Sequence, residues 1–542
     1  MPNALAFLVL LLWPLVIYAM FRKMPIERAL IWSILGGYML LPEGTFINLP
    51  MIPALSKVTL PNLTAFFVLV ILMERRIALW PGTVLGKVLI ALFVLSPIIT
   101  VMTNREPIPF ATIDIGAISM YLPGMTEHPG LPGLRPYDAI SVVGNQLFMM
   151  LPLFMARHVL ATPAALRELL GALVLAALVY SVPMWLEVRF SPQLHTIVYG
   201  FFQHDFSQAL RGGGFRPFVF MPHGLWVAFF ALMGLMAAVA LARRATPEER
   251  PRRVLIAVYL GVLLVACKTL GVTLMAVALV PLALLSTRMQ VRAGAAMGAV
   301  AMLYPILRGA GVVPVWSLHA LVESVAPERA QSFAFRLVNE DRLLERASEK
   351  LWFGWGSWGR NLIYDHWTGR IETISDGYWI IVIGSFGWLG YIATFGLLTL
   401  PLLAMWWQSR RLADAELSPW IGPLALILGA NMLDLIPNAT LVPMTWLIVG
   451  ALIGHSELMR QQVRASHRRT LEGSFGTARA GLLPTARPLA SGAATAGLTG
   501  AEAAIGADTA DSGRTDRPAT TGRSGRSGSA PMRSLRAFRR RE

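Results

Sequence analysis

The sequence predicts an all-α polytopic membrane protein with about 12–13 transmembrane helices and a large extracytoplasmic loop. Three observations support this fold class. Apolar residues make up 55% of the 542 residues and charged residues only 14%, whereas about a quarter of a soluble domain is charged. The mean hydropathy is +0.56. Apolar segments also recur along most of the chain, so we expect the protein to lie in a lipid bilayer.

The apolar segments define the predicted spans. A helix needs roughly 17 to 25 residues to cross a bilayer, and the second, third and eighth segments are short for this task, so the predicted number can change by one or two. The predicted spans are 4–20, 29–41, 60–73, 83–102, 139–155, 164–185, 222–241, 254–266, 270–286, 293–310, 377–407, 420–436 and 441–459.

Basic residues predict the orientation of these spans, because Lys and Arg accumulate in short cytoplasmic loops. All basic clusters fall on one side if the spans alternate and if 254–286 forms a hairpin that turns near Lys268. This arrangement favours thirteen spans with the N-terminus outside. The clusters lie at 22–28, 75–76, 157–167, 243–253, 288–292 and 410–411, and from Arg460 onward.

Composition divides the chain into three parts. Residues 1–460 form the predicted membrane domain, and 312–376 form its largest outer loop. Residues 461–542 are rich in Gly, Ala, Ser, Thr, Pro and Arg, a composition that buries too little apolar surface to fold, so we predict a disordered basic cytoplasmic tail. The tail either attaches to anionic lipid headgroups or only adds solubility.

Charge and cysteine content exclude several classes of function. Fifteen arginines and six acidic residues in 460–542 supply +9 of the net charge of +16. The basicity therefore belongs mostly to the tail and does not predict a nucleic-acid partner. The single cysteine, Cys267, lies in an apolar run and gives no basis for an internal disulfide, a zinc cluster or thiol catalysis.

A glycine-rich segment with two arginines is the first candidate site. Segment 211–217 has the sequence RGGGFRP, and His223 follows at the start of a predicted span. Glycines let backbone N–H groups approach an anion closely, and Arg211 and Arg216 offer bidentate donors to phosphate or carboxylate oxygens. The alternative is an ordinary turn with interfacial arginines.

The large loop holds the second candidate. Arg336, Arg342 and Arg346 alternate with acidic residues at spacings that allow pairs three or four residues apart on a loop helix. For most of these residues a solvated helix face is the simpler interpretation. Segment 352–359, with the sequence WFGWGSWG, predicts either a membrane-interface belt or a sugar-stacking wall.

Asp376 is the third candidate, because it ends the large loop immediately before the longest apolar segment. Its carboxylate can act as a general base toward a sugar hydroxyl, and it can also cap the following helix. Further polar candidates at membrane depth are Lys268, Asn431, Asp434 and Asn438. None of these residues has metal-ligand spacing.

Three of these features together resemble the bacterial O-antigen polymerase and O-antigen ligase superfamily. They are segment 211–223 leading into a span, the sequence CKTLG at 267–271 on a tight hairpin, and Arg336 with the sequence LWFGWG at 351–356. The resemblance covers about 200–460. It implies a membrane-embedded glycosyltransferase of GT-C-like architecture in the bacterial inner membrane, without a cofactor or a metal.

The ligase branch of this superfamily carries a His and a polar neighbour, then nine residues and a Gly-x-x-Gly/Thr/Tyr pattern. Here Asp376 and Gly377 are followed by nine residues and by the sequence GWLG at 387–390. The spacing is kept, but the His is replaced by Asp376. The departure therefore favours a polymerase over a ligase.

The resemblance implies an undecaprenyl-diphosphate-linked glycan as donor at the outer face of the membrane. It also implies a flippase and a chain-length regulator of the same pathway as partners. In this scheme Arg211, Arg216 and Arg336 bind the donor diphosphate, Asp376 and Arg336 act in catalysis, and His223 and Lys268 are secondary candidates. A ligase that moves glycan to lipid A core and a multi-span transporter are the alternatives; a transporter predicts two related halves, which the sequence does not show.

Overall fold

The computed structural model describes residues 1–49, 52–110, 130–325 and 327–480, and it is mostly helical. The first half of these residues forms α1 (Ala4–Lys23), α2 (Ile26–Leu40), α3 (Thr59–Phe67), α4 (Val84–Met102), α5 (Pro136–Val159), α6 (Pro163–Phe190) and α7 (Leu194–Tyr199). The second half forms α8 (Gly224–Arg243), α9 (Arg250–Ala266), α10 (Leu270–Ala283), α11 (Thr287–Gly309), α12 (Val315–Val325), α13 (Pro327–Ser348), α14 (Tyr378–Ser409), α15 (Ile421–Asp434) and α16 (Pro443–Ala480).

Strands are short and pair only with their neighbours. The two antiparallel pairs in the described residues are β1 (Ile47–Leu49) with β2 (Ile52–Leu55), and β3 (Leu210–Arg211) with β4 (Gly214–Phe215). A π-helical turn (Val68–Leu72) continues α3. The all-α class is therefore confirmed, with β structure confined to loops outside the apolar helices.

Each of the thirteen apolar segments predicted as a span coincides with a helix. Seven of these helices, α1, α4, α5, α6, α8, α11 and α14, are long and apolar enough to cross a membrane. The other six helices are shorter or less apolar, so the number thirteen stays a prediction.

Helix α1 shows why these helices suit a membrane. One face, with Leu10 and Ile17, is fully buried, whereas Leu11 and Leu15 on the other face are 59% and 63% exposed. A helix that is apolar on all faces and still exposed is unsuited to water. The chain thus has the character of a multi-pass membrane protein.

Small residues allow the central helices to approach closely. Helix α8 is the most buried of the long apolar helices, and a Cβ atom added to its Gly234 would lie 2.4 Å from the Cβ of Ala177 in α6. A Cβ at Gly294 of α11 would lie 2.6 Å from the carbonyl oxygen of Ala425 in α15. Packing through glycine is typical of membrane helices, because dispersion contacts replace the hydrophobic effect there.

Helices α9 and α10 form the hairpin that the basic residues predict. Helix α9 ends at Ala266 and α10 begins at Leu270, and Lys268 in the turn between them has a φ of 52°. Arg243, at the end of α8, contacts the carbonyl oxygen of Ala283 at the end of α10 (3.4 Å), and α9 begins shortly after Arg243. The start of α9 and the end of α10 therefore lie at the same end of α8.

The predicted basic clusters meet at one end of the helices. The contacts are Arg28 to Glu168 (2.6 Å), Arg157 to Glu457 (2.9 Å), Arg288 to Asp414 (2.7 Å) and Arg243 to Ala283 (3.4 Å). Arg157 also donates to the carbonyl of Ala78 (3.0 Å), next to the 75–76 cluster, and Arg167 lies over the ring of Trp420 (5.8 Å), in the connection that follows the 410–411 cluster. The described basic clusters therefore occupy one end of the helices, which we call the basic end.

The tryptophan-rich segment of the large loop packs into a break in α14. Gly387, inside α14, has φ 65° and ψ −169°, and a Cβ atom there would lie 2.3 Å from the carbonyl carbon of Trp352. The N–H of Trp355 donates to the carbonyl of Gly384 (2.8 Å), and that of Gly356 to the carbonyl of Ser385 (2.9 Å). A Cβ atom at Gly354 of the segment would lie 2.5 Å from the carbonyl carbon of Ser385 in α14, so glycine is needed on both sides of this contact.

The last helix extends beyond the predicted start of the tail. Helix α16 continues through Gln461 to Ala480, and the compact unit that holds the membrane helices extends over Met1–Gly476. Gln461, Gln462 and Arg464 are good helix formers, so the apolar helix extends past the composition change. The rest of the predicted tail, 481–542, lies outside the described residues.

Candidate active site

One cavity of about 670 Å³ brings together all six residues predicted for the site. They come from separate parts of the chain: the β3–β4 hairpin, the start of α8, the α9–α10 turn, α13 and the end of the large loop. We call this space the cationic cavity. The six residues are Arg211, Arg216, His223, Lys268, Arg336 and Asp376.

The glycine-rich segment is a tight β-hairpin. Arg211 pairs with Gly214, and the two turn residues, Gly212 and Gly213, have φ values of 50° and 68°. Such turns need positive φ at both central positions, which glycine adopts without strain. Lys268 donates to the carbonyls of Arg211 (3.2 Å) and Gly212 (3.3 Å), so this lysine fixes the hairpin against the α9–α10 turn.

Arg216 is buried beneath the cavity surface, with 4% of the residue exposed. Its Nη2 donates to the hydroxyl of Thr269 (2.9 Å). A Cβ atom at Gly224 would lie 2.4 Å from the Cδ of Arg216. The absence of a side chain at the start of α8 therefore leaves the space that the arginine side chain occupies. The guanidinium is thereby held at a fixed place in the cavity wall.

The backbone between Arg216 and His223 is held by α6. Glu187, which is 1% exposed, accepts hydrogen bonds from the N–H groups of Phe218 (2.8 Å) and Val219 (2.7 Å). The N–H of Phe220 donates to the hydroxyl of Tyr180 (3.0 Å). Our sequence analysis missed Glu187, although a carboxylate at the end of an apolar run is itself a marker of a buried polar contact.

His223 caps α8 and is neutral at physiological pH. Its Nδ1 accepts a hydrogen bond from the N–H of Leu225 (3.1 Å). Burial, and next the positive charges led by Arg216, lower the pKa of His223 to about 3. A neutral imidazole that accepts at Nδ1 carries its proton on Nε2, so His223 can donate a hydrogen bond to a ligand but is not placed to act as a base.

Asp376 forms an ion pair with Arg336 and does not cap α14. Its Oδ2 lies 3.1 Å from the Nε of Arg336. The N-cap residue of α14 is Gly377, without a side-chain cap hydrogen bond, so the capping prediction is wrong. Arg336 comes from α13 and reaches across the loop end, and this charge attraction explains why the carboxylate turns toward the cavity.

The other charged residues of α13 also pair mostly outside their helix. Arg346 with Glu349 is a pair three residues apart (2.8 Å), but Asp341 pairs with Arg308 of α11 and Arg342 pairs with Glu372. Asp341 and Arg342 are 45% and 41% exposed, so they lie on a solvated helix face as predicted, but their partners come from outside the helix. Their long-range pairs fix α13, and thus Arg336, over the cavity.

The remaining polar candidates form the cavity floor and its support. Asn438 lines the cavity and donates to the carboxylate of Asp434 (2.8 Å). Thr440 donates to the other carboxylate oxygen of Asp434 (2.5 Å), and Thr445 donates to Asn431 (2.7 Å). Asp434 is 2% exposed, so it supports the turn after α15 rather than facing a ligand.

The tryptophans of the large loop lie apart from this cavity. Trp352 and Trp358 are 58% and 56% exposed, whereas Trp355 lies under Arg346, whose guanidinium carbon is 3.3 Å from the ring centroid. Among the described residues that line the cationic cavity, the only tryptophan is Trp226. The exposed pair fits the interface belt better than the sugar-stacking wall.

A second, mostly apolar cavity of about 250 Å³ adjoins the first and shares Arg336 and Asp376 with it. Glu340 lies in its wall, 4.0 Å from the Nε of Arg308. Burial raises the pKa of Glu340 to about 7, although the charge of Arg308 opposes the shift. The Arg336–Asp376 pair therefore stands between a cationic and an apolar compartment.

The cationic cavity has the chemistry of an anion site. Arg211, Arg216, Lys268 and Arg336 line it with one carboxylate, Asp376. Several residues that we did not predict as site residues complete the lining, among them His204, Gln208, Thr269 and Phe333. No group of three or more His, Cys, Asp or Glu within the described ranges is placed to hold a metal ion.

Comparison of the sequence with known proteins finds no protein family that matches the chain and no matching curated protein.

Proposed function

We propose that the protein polymerises undecaprenyl-diphosphate-linked oligosaccharide repeat units at the outer face of the bacterial inner membrane, in capsule, exopolysaccharide or O-antigen synthesis. The convergence of four cationic side chains and one carboxylate on a single cavity supports this proposal most strongly. A diphosphate needs several fixed cationic donors, and Arg211, Arg216 and Arg336 supply planar guanidinium groups for its oxygens.

The reaction that fits this lining is a glycosyl transfer. An acceptor hydroxyl oxygen bonds to the anomeric carbon of the donor glycan, and the bond from that carbon to the diphosphate oxygen breaks. Undecaprenyl diphosphate leaves with the electron pair, and the hydroxyl proton passes to Asp376. Fixed cationic groups stabilise the negative charge that develops on the leaving group.

Asp376 suits this role when the leaving group is good. A carboxylate is a weaker base than the imidazole of histidine, but departure of a stabilised diphosphate requires little assistance from the acceptor. His223 donates from Nε2, so we assign it to hydrogen bonding with the donor rather than to proton removal.

The polymerase is favoured over the ligase by Asp376, which stands where ligases have His. Deleting the gene for this chain in its native host should leave single lipid-linked repeat units, or none, in place of long chains. Accumulation of long lipid-linked chains that fail to reach a separate acceptor would favour the ligase. If the deletion instead abolished export of a small molecule and left polymer length unchanged, the transporter would be favoured.

The residue-level test uses Asp376→Asn, which keeps the size of the side chain and removes the charge. Polymer length in cells should fall sharply, while protein abundance in the membrane stays unchanged. Asp414→Asn is a matched control, because Asp414 is an exposed carboxylate paired with an arginine (2.7 Å) at the basic end. Undiminished polymer in Asp376→Asn would remove Asp376 from the reaction.

Orientation follows from the same proposal. With the basic end in the cytoplasm, the cationic cavity faces outward, where lipid-linked repeat units are joined. Ser332 lines this cavity, so Ser332→Cys should react with an impermeant thiol reagent from outside, whereas Ser474→Cys should react only after permeabilisation. Cys267 is buried, so the background reaction should be low. Labelling of Ser474→Cys from outside would overturn this orientation.

A further inference from the structure

A third cavity, of about 660 Å³, lies at the basic end, far from the candidate active site. The start of α4, the end of α14 and the middle of α16 form it. Helix α14 begins beside Asp376 and ends at this cavity, so nearly the whole length of a 32-residue helix separates the two places. Neither the predicted site residues nor the proposed reaction uses this cavity.

The lining of this basic-end cavity has an excess of positive charge. Arg411, Arg460 and Arg464 line it together with one carboxylate, Glu457. Both oxygens of Glu457 are engaged elsewhere, since Oε2 lies 2.9 Å from the Nε of Arg157 and Oε1 accepts from the N–H of Gly82 (2.7 Å).

Acidic partners are missing for the three arginines among the described residues: no carboxylate there lies within ion-pair distance of Arg411, Arg460 or Arg464. The guanidinium of Arg411 instead lies over the ring of Trp407, 4.7 Å from its centroid. Three positive charges in one recess therefore require an anion or water.

Part of the cavity lining is apolar and open to its surroundings. Leu85, Leu403 and Trp407 line it and are 58%, 41% and 50% exposed. In a membrane helix at this depth, such side chains face acyl chains, and tryptophan marks the level of the headgroups. Free phosphate would fill only the cationic part of such a space.

The cavity also contains an unsatisfied polar group. Gln408 lines it and is 9% exposed, and its Oε1 accepts no hydrogen bond from the described residues. A buried acceptor without a donor is unfavourable. A hydroxyl on a lipid headgroup is the kind of donor that this amide lacks.

We infer that the basic-end cavity is a binding site for an anionic glycerophospholipid with a hydroxyl-bearing headgroup, of the phosphatidylglycerol type. The phosphate lies among Arg411, Arg460 and Arg464, and the acyl chains lie along Leu85, Leu403 and Trp407. Basic pockets between membrane helices on the cytoplasmic side suit such headgroups. This inference does not depend on the proposed reaction.

The test measures lipid binding to the full-length purified protein. Native mass spectrometry should detect dioleoylphosphatidylglycerol on the wild type at concentrations where dioleoylphosphatidylcholine does not bind, and phosphatidylglycerol should raise its melting temperature. The double variant Arg460→Gln and Arg464→Gln should bind phosphatidylglycerol at least about a hundredfold more weakly, because each charge-assisted hydrogen bond to the phosphate contributes roughly tenfold or more.

The matched control is Arg250→Gln with Arg252→Gln, which removes the same charge from exposed positions at the same end, outside the cavity. It should bind phosphatidylglycerol as the wild type does. Equal weakening in both double variants would show general attraction between charges and would overturn the site. A third arm adds soluble glycerol phosphate: displacement of the lipid by millimolar glycerol phosphate, or its equal stabilisation of the protein, would show a free-phosphate site and also overturn the proposal.

Discussion

Replacing Gly224 by alanine should damage the cationic cavity more than the fold. The added Cβ would lie 2.4 Å from Cδ and 2.7 Å from Nε of Arg216, whereas carbon atoms in contact stay about 3.5 Å apart or more. The arginine must therefore move by about 1 Å. This movement stretches its 2.9 Å bond to Thr269 beyond hydrogen-bond range.

The two expected magnitudes differ. Overpacking of this kind costs about 1–3 kcal/mol of stability, near the lower value here because the atoms that must yield belong to a side chain. If Arg216 contacts the donor diphosphate, losing one charge-assisted hydrogen bond lowers kcat/KM by roughly 10- to 150-fold. We expect activity to fall by at least tenfold while the melting temperature falls by only a few degrees.

The assay measures polymer formation in proteoliposomes and the melting temperature in detergent. Gly171→Ala is the control, because a Cβ at Gly171 meets no heavy atom within 4 Å, and alanine there should be neutral or slightly stabilising. In a double-mutant cycle, Gly224→Ala should add little to the loss caused by Arg216→Ala, since both act through one side chain. Full activity in Gly224→Ala, or additive losses in the cycle, would refute this reasoning.

Three further predictions concern acid stability, the helix break and the tail. Burial holds the pKa of His223 at about 3, below its value of about 6.5 in the unfolded chain. The unfolded chain therefore binds this proton first, and stability is lost as pH falls from about 6.5 toward 3. His223→Asn keeps a capping acceptor and should make the melting temperature less sensitive to acid; an equal dependence of melting temperature on pH in the variant and the wild type would contradict the burial argument. Gly387 has a φ of 65°, and Gly387→Ala places a Cβ 2.3 Å from backbone atoms of Trp352. The variant should therefore lower the melting temperature far more than Gly171→Ala does. A melting temperature equal to that of the wild type would show that the tryptophan-rich segment does not pack against Gly387. Removing 481–542 should leave expression and polymer length near wild type, because the cavity lies wholly within Met1–Gly476; loss of polymer in a well-expressed truncation would give the tail a role.

Apolar runs in the sequence predicted where the helices lie, since each of the thirteen runs coincides with a helix. They predicted helix ends less well. The thirteenth segment continues as α16 to Ala480, because residues that favour a helix can extend it beyond the apolar run by which we recognised the span.

The sequence allowed us to predict which residues belong to the site, but not how they are arranged or which of them pair. Arginines and a carboxylate at span mouths are costly in a membrane protein, so Arg211, Arg336 and Asp376 were identifiable from the sequence. Their partners were not, because the Arg336–Asp376 pair joins residues 40 positions apart. The role of Gly224 was also invisible, since it depends on the path of one side chain from another element.

The most direct test of the proposed function joins purified protein with undecaprenyl-diphosphate-linked repeat units from the native host in proteoliposomes, and compares the wild type with Arg336→Lys. The wild type should lengthen the glycan and release one undecaprenyl diphosphate for each new linkage. Arg336→Lys keeps the positive charge but loses the planar group that can hold both Asp376 and a phosphate oxygen, so it should be at least tenfold slower. Failure of the wild type to lengthen the glycan, or full activity in Arg336→Lys, would contradict the assignment of this cavity to donor diphosphate.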